Sequence, residues 1–133
     1  MKFHHIGIFV PSIDEGRRRI EAMFPIERSS EVFEDDALAV KVQFFWEELG
    51  ICYEIVAPFG DKNPVSQLLT KRTNLLNHVA YLVTDMDAAL RKMNEAGCLQ
   101  ITQPTPAVAF DLRPVCFLMT RLGFVVELIE MPE

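Results

Sequence analysis

The sequence predicts an α+β fold made of one βαβββ unit used twice. Three observations carry this. The stretch HIGIFVPSIDEG (His5 to Gly16) matches HVAYLVTDMDAA (His78 to Ala89), placing His5 on His78, Val10 on Val83 and Asp14 on Asp87 at an offset of 78 − 5 = 73 residues. The same shift carries CYEIVA (Cys52 to Ala57) onto VVELIE (Val125 to Glu130), so Glu54 falls on Glu127. Between these ends the hydrophobic period alternates between that of strands and that of a helix.

The elements follow in order. Phe3 to Val10 alternates and is rich in β-formers, which predicts a strand. Ser12 or Asp14 starts a helix running to about Met23, with Ile13, Ile20, Met23 and Phe24 on its apolar side and Pro25 as its stop. Strands are predicted over Ile26 to Val32, Leu38 to Trp46 and Ile51 to Val56, with Leu49-Gly50 at the last turn. The second half repeats the plan, with a strand over Leu76 to Val83 and a helix over Asp85 to Ala96 capped by Gly97. Strands over Cys98 to Thr102, Val115 to Thr120 and Phe124 to Ile129 complete it. The chain thus reads as a single domain, 1–133, with modules at 1–57 and 75–133. A linker, 58–74, joins them, and Asn63-Pro64 opens a short helix over Val65 to Thr70.

Composition excludes several function classes. At 133 residues the chain has room for one real core. Its net charge of −6, with no Lys/Arg block, argues against nucleic acid as a partner. An anionic substrate must then be met by locally placed cations. No membrane span or signal peptide is read, because the apolar N-terminal run ends at Pro11. Three cysteines, Cys52, Cys98 and Cys116, without C-x-x-C spacing indicate reduced thiols and a cytoplasmic protein.

Four polar residues stand out. Alternation puts His5 on a strand face with Gly7 and Phe9, His78 with Ala80 and Leu82, Glu54 with Cys52 and Val56, and Glu127 with Val125 and Ile129. Carboxylates in such apolar company are costly unless paired, protonated or bound to a cation. If a pseudo-twofold axis relates the halves, His5, Glu54, His78 and Glu127 converge on one divalent ion. A His₂Glu₂ set suits Zn²⁺, Mn²⁺, Co²⁺, Ni²⁺ or Fe²⁺. In octahedral coordination two positions stay open, which makes a Lewis-acid site. His4, on the opposite face, reads as structural or exposed. Arg113 and Arg121 are able to bind a carboxylate or phosphate, although a surface role is the default for both. Lys71-Arg72 reads as an exposed helix end, Cys52 as a packing residue facing with Glu54, and Trp46 and the ten phenylalanines as core.

With HIGIFV at the start, YEIVAP before the linker, LNHVAYLVTDMDAAL opening the second half and VVELIE at the end, the chain resembles the vicinal oxygen chelate superfamily over nearly its whole length. That superfamily includes glyoxalase I, bleomycin-resistance proteins and extradiol dioxygenases. The stretch YEIVAPFGDKNPVSQLLTKRTNLLNHVAYLV is similar to its methylmalonyl-CoA epimerase branch. The resemblance implies mixed sheets forming an open, metal-holding half-barrel, with one chain supplying all four ligands, at His5, Glu54, His78 and Glu127. It implies a metal-dependent epimerase or isomerase that removes a proton next to a carbonyl, with Glu127 as catalytic base. It further implies a small-molecule substrate such as an acyl-CoA thioester, and a homodimer. Glyoxalase-type lyase chemistry and non-catalytic binding of a drug or metabolite are the alternatives. The epimerases carry a further catalytic Glu just before the strand at Val40 to Phe45, where this chain offers Glu34-Asp35-Asp36. The second base is therefore sought among Glu34, Asp35 and Glu54.

Overall fold

The computed structural model describes residues 1–60, 69 and 75–132. These fall into two compact units, His5–Asn77 and Met1–His4 with His78–Glu133. Each is a mixed, open sheet carrying a helix, as the α+β reading expects.

In the unit His5–Asn77, β1 (Lys2–Phe9) leads into α1 (Ile13–Met23). Then come β2 (Ile26–Ser29), β3 (Phe33–Asp35), β4 (Val40–Glu47) and β5 (Cys52–Pro58). The strands run in the order β2-β4-β5-β1, and β3 adds to β4. β1 and β5 are parallel, and the β4 pairings are antiparallel. Ser12 caps α1 by accepting the Glu15 N–H at 3.1 Å. The helix lays Ile20 on Phe45 and Ile55, with Val10, Ile13, Ile26 and Tyr53 around them. Gly16 is where the helix comes closest to the sheet, since a Cβ there would sit 3.0 Å from both Ile55 and Val10.

In the other unit, β6 (Leu76–Val83) leads into α2 (Met86–Glu95). It is followed by β7 (Leu99–Gln100), β8 (Thr105–Ala107), one 3₁₀ turn (Val108–Phe110), β9 (Arg113–Met119) and β10 (Val125–Glu130). The order is β6-β10-β9-β7, with β8 also on β9. Again the helix-bearing strand and the last strand are parallel, and the rest is antiparallel. Asp85 caps α2 by accepting the Ala88 N–H at 3.1 Å, and 85 − 12 repeats the offset of 73. The carboxylate of Glu130 adds a second N-terminal acceptor, to Met86 N–H at 2.7 Å. Gly97 ends the helix with φ +92°. Met86 and Ala89 of this helix pack with Cys98, Cys116, Leu118, Val126 and Leu128.

Two differences from the predicted elements have clear causes. The strand expected over Ile26 to Val32 breaks after Ser29, because the Ser30 side chain turns to the backbone of Glu31 and Phe44 and closes the run. The short β8 was hidden by Pro104 and Pro106, and proline is tolerated there because β8 lies on the margin of the sheet. The helix expected over Val65 to Thr70 lies outside the described residues except for Leu69, which is helical. No helix of the described residues is long and apolar enough to cross a membrane.

Candidate metal centre

The helices define the two faces of each sheet. On β4 and β5 the residues facing α1 are Phe45, Tyr53 and Ile55, so alternation turns Val42, Phe44, Trp46, Cys52, Glu54 and Val56 to the other face. On β9 and β10 the residues facing α2 are Cys116, Leu118, Val126 and Leu128, which turns Arg113, Val115, Phe117, Val125, Glu127 and Ile129 away. All four sequence-predicted ligands therefore lie on the faces opposite the helices. All four are buried: His5 is 0% exposed, Glu127 4%, Glu54 5% and His78 5%.

Each unit brings its own histidine and glutamate together. His5 Nε2 lies 3.3 Å from Glu54 Oε1. His78 Nε2 lies 3.3 Å from Glu127 Oε1. The strand registers that set these pairs are identical under the offset. Gly7 is the parallel neighbour of Glu54, and Ala80, 73 residues on, is the neighbour of Glu127. A distance of 3.3 Å is long for a charge-assisted N–H···O bond, which settles at about 2.7–2.9 Å. It matches two donor atoms side by side on one ion, because metal–ligand bonds of about 2.1 Å at tetrahedral or octahedral angles set neighbouring donors about 3.0–3.4 Å apart. The donor set and its spacing both fit a divalent metal.

A second matched pair escaped the sequence reading. Phe44 lies opposite Glu54 in the β4–β5 ladder, and Phe117 lies opposite Glu127 in the β9–β10 ladder. The numbers differ by 117 − 44 = 73. Each ring stands edge-on to the histidine of its unit. Centroids are 5.4 Å apart for His5 and Phe44, and 5.9 Å for His78 and Phe117. The site phenylalanines were hidden among ten, and the offset that found the ligands was the signal that could have singled them out.

The remaining candidates divide cleanly. Glu34 pairs with Lys41 and so belongs to the helix-side alternation of β4, and it is exposed. Asp35 pairs with Val40 on the site-side alternation and is 4% exposed, but its carboxylate accepts the Leu38 N–H at 3.0 Å and so braces the β3–β4 turn. Cys52 faces with Glu54 as expected. Burial, then the neighbouring Glu54 charge, pushes its thiol up to about 12, with Arg28 and a Phe45 backbone hydrogen bond pulling the other way. Such a thiol stays protonated, which rules out nucleophilic duty and leaves packing. Arg113 shares the site-side alternation of Phe117 and Glu127. Arg121 instead lies against Gly97 at the end of α2. Lys71 and Arg72 lie outside the described residues. His4 meets Phe110 edge-on at 5.6 Å, a packing role.

Comparison with known proteins agrees with this layout. Residues 4–117 match the model of the Glyoxalase/Bleomycin resistance protein/Dioxygenase superfamily. The chain is 29% identical over 132 residues to a mitochondrial methylmalonyl-CoA epimerase of Dictyostelium discoideum, covering 97% of this chain and 78% of that one. A hypothetical protein from Bacillus halodurans superposes with a TM-score of 0.83 at 23% identity, over 99% of this chain and 95% of that one. A variant methylmalonyl-CoA epimerase of Streptomyces coelicolor in complex with 2-nitronate-propionyl-CoA superposes with a TM-score of 0.78 at 17% identity, over 100% and 99%.

Proposed function

Because the chain belongs to the Glyoxalase/Bleomycin resistance protein/Dioxygenase superfamily, we propose that it is a metal-dependent epimerase or isomerase. It would act on a proton next to the carbonyl of an acyl thioester, as its epimerase relative's name indicates for that protein. The observation that carries this reading is the pair of matched His–Glu contacts, equal at 3.3 Å and buried in identical registers. His5, Glu54, His78 and Glu127 would hold the ion together, each offering one donor atom. When bound, the metal supplies a Lewis acid that stabilises negative charge developing on the carbonyl oxygen.

The chain's own residues do the rest. Glu127 is the base that takes the α-proton. Phe117, Val125 and Ile129 share its sheet face and keep water away from it, so the carboxylate is not solvated into a weaker base. Inversion at carbon needs a second group to return the proton from the other side. Of the three candidates, Glu34 is on the wrong face and Asp35 is engaged at the β3–β4 turn. This supports Glu54, the repeat partner of Glu127, in that role. Phe44 and Phe117 hold the two imidazoles edge-on and fix their ring planes.

The test is solvent exchange. Purified protein is analysed for bound metal, then incubated in D₂O with methylmalonyl-CoA while the α-proton is followed by NMR. Metal-loaded protein should exchange it, and Glu127→Gln should abolish exchange. Absence of exchange by metal-loaded wild type would sink the epimerase reading. A metal-free preparation that takes up none of the five candidate ions would sink the metal site itself.

A further inference from the structure

We propose that Arg28, held against Trp46 at the edge of the site face, is the group that binds a second anion of the substrate, remote from the reacting carbon. The assignment deepens the acyl-thioester reading and takes its choice of ligand from it. Its basis is geometric. Arg28 pairs with Trp46 across the β2–β4 ladder, and its Cζ lies 3.8 Å from the centroid of the Trp46 ring. Trp46 in turn faces Cys52, and Phe44, two residues earlier, faces Glu54. Alternation therefore places Arg28 on the same face as the His5–Glu54 pair. The rings make a continuous track toward it. Trp46 to Phe44 is 6.0 Å between centroids, and Phe44 to His5 is 5.4 Å.

Stacking leaves the guanidinium well placed for an anion. A guanidinium resting on a ring keeps its in-plane N–H groups available for a two-point contact with a carboxylate or phosphate. Arg17 and Arg19 on α1 are already committed, to Asp14 at 2.8 Å and Glu15 at 3.1 Å. Among the described residues Arg28 makes no ion pair. In a chain of net charge −6 such a cation on the site face has value for an anionic ligand.

Distance selects the kind of anion. Arg28 lies two strands across from Glu54, about 10 Å, and one alternation along, about 7 Å. That is too far for an oxygen on the reacting carbonyl. It suits a phosphate on the carrier of a thioester.

Trp46 is the only tryptophan in the chain, so its fluorescence reports on this spot without requiring activity. Coenzyme A, pantetheine and malonate are titrated into wild type, Arg28→Gln and Arg28→Lys protein, with thermal melts confirming that each variant is folded. Coenzyme A should change the emission of wild type saturably, pantetheine should not, and Arg28→Gln should weaken the response about tenfold or more. Arg28→Lys should keep part of it, since the charge survives without the two-point contact. A response to malonate but not to coenzyme A would place the contact at a carboxylate on the reacting carbon and overturn the proposal. Equal affinities in wild type and Arg28→Gln, or no response to any probe, would overturn the proposal. If α-proton exchange is absent but the Arg28-dependent response is present, the epimerase reading fails alone. If exchange occurs and Arg28→Gln leaves both KM and fluorescence unchanged, this inference fails alone.

Discussion

Phe44 and Phe117 occupy repeat-related places beside repeat-related histidines, yet replacing them by alanine should have unequal consequences for stability and similar ones for the site. Phe44 is 4% exposed and touches three rings: His5 at 5.4 Å, Trp46 at 6.0 Å and Phe33 at 6.2 Å. Truncating a buried phenylalanine costs about 3–5 kcal/mol. At an unfolding entropy of about 2.1 cal/mol/K per residue, a cost of about 4 kcal/mol lowers the Tm of this 133-residue chain by about 14 °C. Phe117 is only half-buried, so Phe117→Ala loses part of a side chain's burial, about 1–2 kcal/mol or about 3–7 °C. Both variants release one imidazole from its edge-on ring, and both should weaken metal binding about tenfold, the low end for loss of a ligand's supporting contact. Urea denaturation and a competition titration with a chromophoric chelator measure the two quantities separately. Equal stability losses would refute the burial argument. Unchanged metal affinity in both variants would refute the claim that the rings orient the ligands.

Three further outcomes follow from the same structure. Stripping divalent ions with a chelator should lower the Tm by about 10 °C relative to protein held at about a hundredfold excess over Kd, and His5→Ala or His78→Ala should abolish that difference. A differential scan that shows no metal dependence in wild type would contradict the proposed centre. The Tyr53 hydroxyl donates to Glu47 at 2.7 Å, and this bond, then burial and the adjacent charge, pushes its pKa up from 10.0 to about 12. The neutral form is favoured in the folded state, so this contribution is full below pH 10 and is lost as pH rises from about 10 to about 12. Stability curves of wild type should therefore fall more steeply than those of Tyr53→Phe across that window, and parallel curves would refute the assignment. Gly97 has φ +92°, and a Cβ there would press on the Arg121 side chain at 2.5 Å. That side chain can swing aside, which leaves the left-handed backbone as the main cost of Gly97→Ala, about 1–2 kcal/mol. Gly97→Asn should be milder, and an alanine variant as stable as wild type would count against it.

Much of this is legible in the sequence alone. The 73-residue offset depends on side-chain identity at fixed strand positions, and a strand's two-residue period turns position directly into facing. That is why His5, Glu54, His78 and Glu127 could be placed on the right faces from sequence. The helix caps were readable for a similar reason, because Ser12 and Asp85 precede apolar periodic runs. What escaped were features set by partners distant in sequence. The break at Ser30 depends on the Phe44 N–H, 14 residues away. Glu130 capping α2 depends on Met86, 44 residues away. The placing of Arg28 on Trp46 depends on a register shift in β2 between Ile26 and Arg28, which no local pattern announces.

The repeat also shows where the two halves have diverged, and the divergence bears on chemistry. The candidate ligands, their flanking rings and the helix caps all obey the offset, so the features that would hold the metal are held in common by both units. The two site-side arginines, Arg28 and Arg113, do not obey it. Arg28 corresponds to Ile101, and Arg113 corresponds to Val40. Were the two units alike in charge as well, an anionic ligand would have two equivalent ways to bind. Charges placed in one unit and missing from the other would break that equivalence and give such a ligand a single orientation. For an epimerase this separation is what the task requires. Under the proposed chemistry Glu54 and Glu127 would transfer the proton and should be alike, because each would serve one face of the same carbon. The groups that hold the rest of the substrate should be unlike, because only the α-carbon is to be inverted. Swapping Arg28 and Ile101 (Arg28→Ile with Ile101→Arg) would test this separation, by lowering coenzyme A affinity while leaving metal affinity as it was.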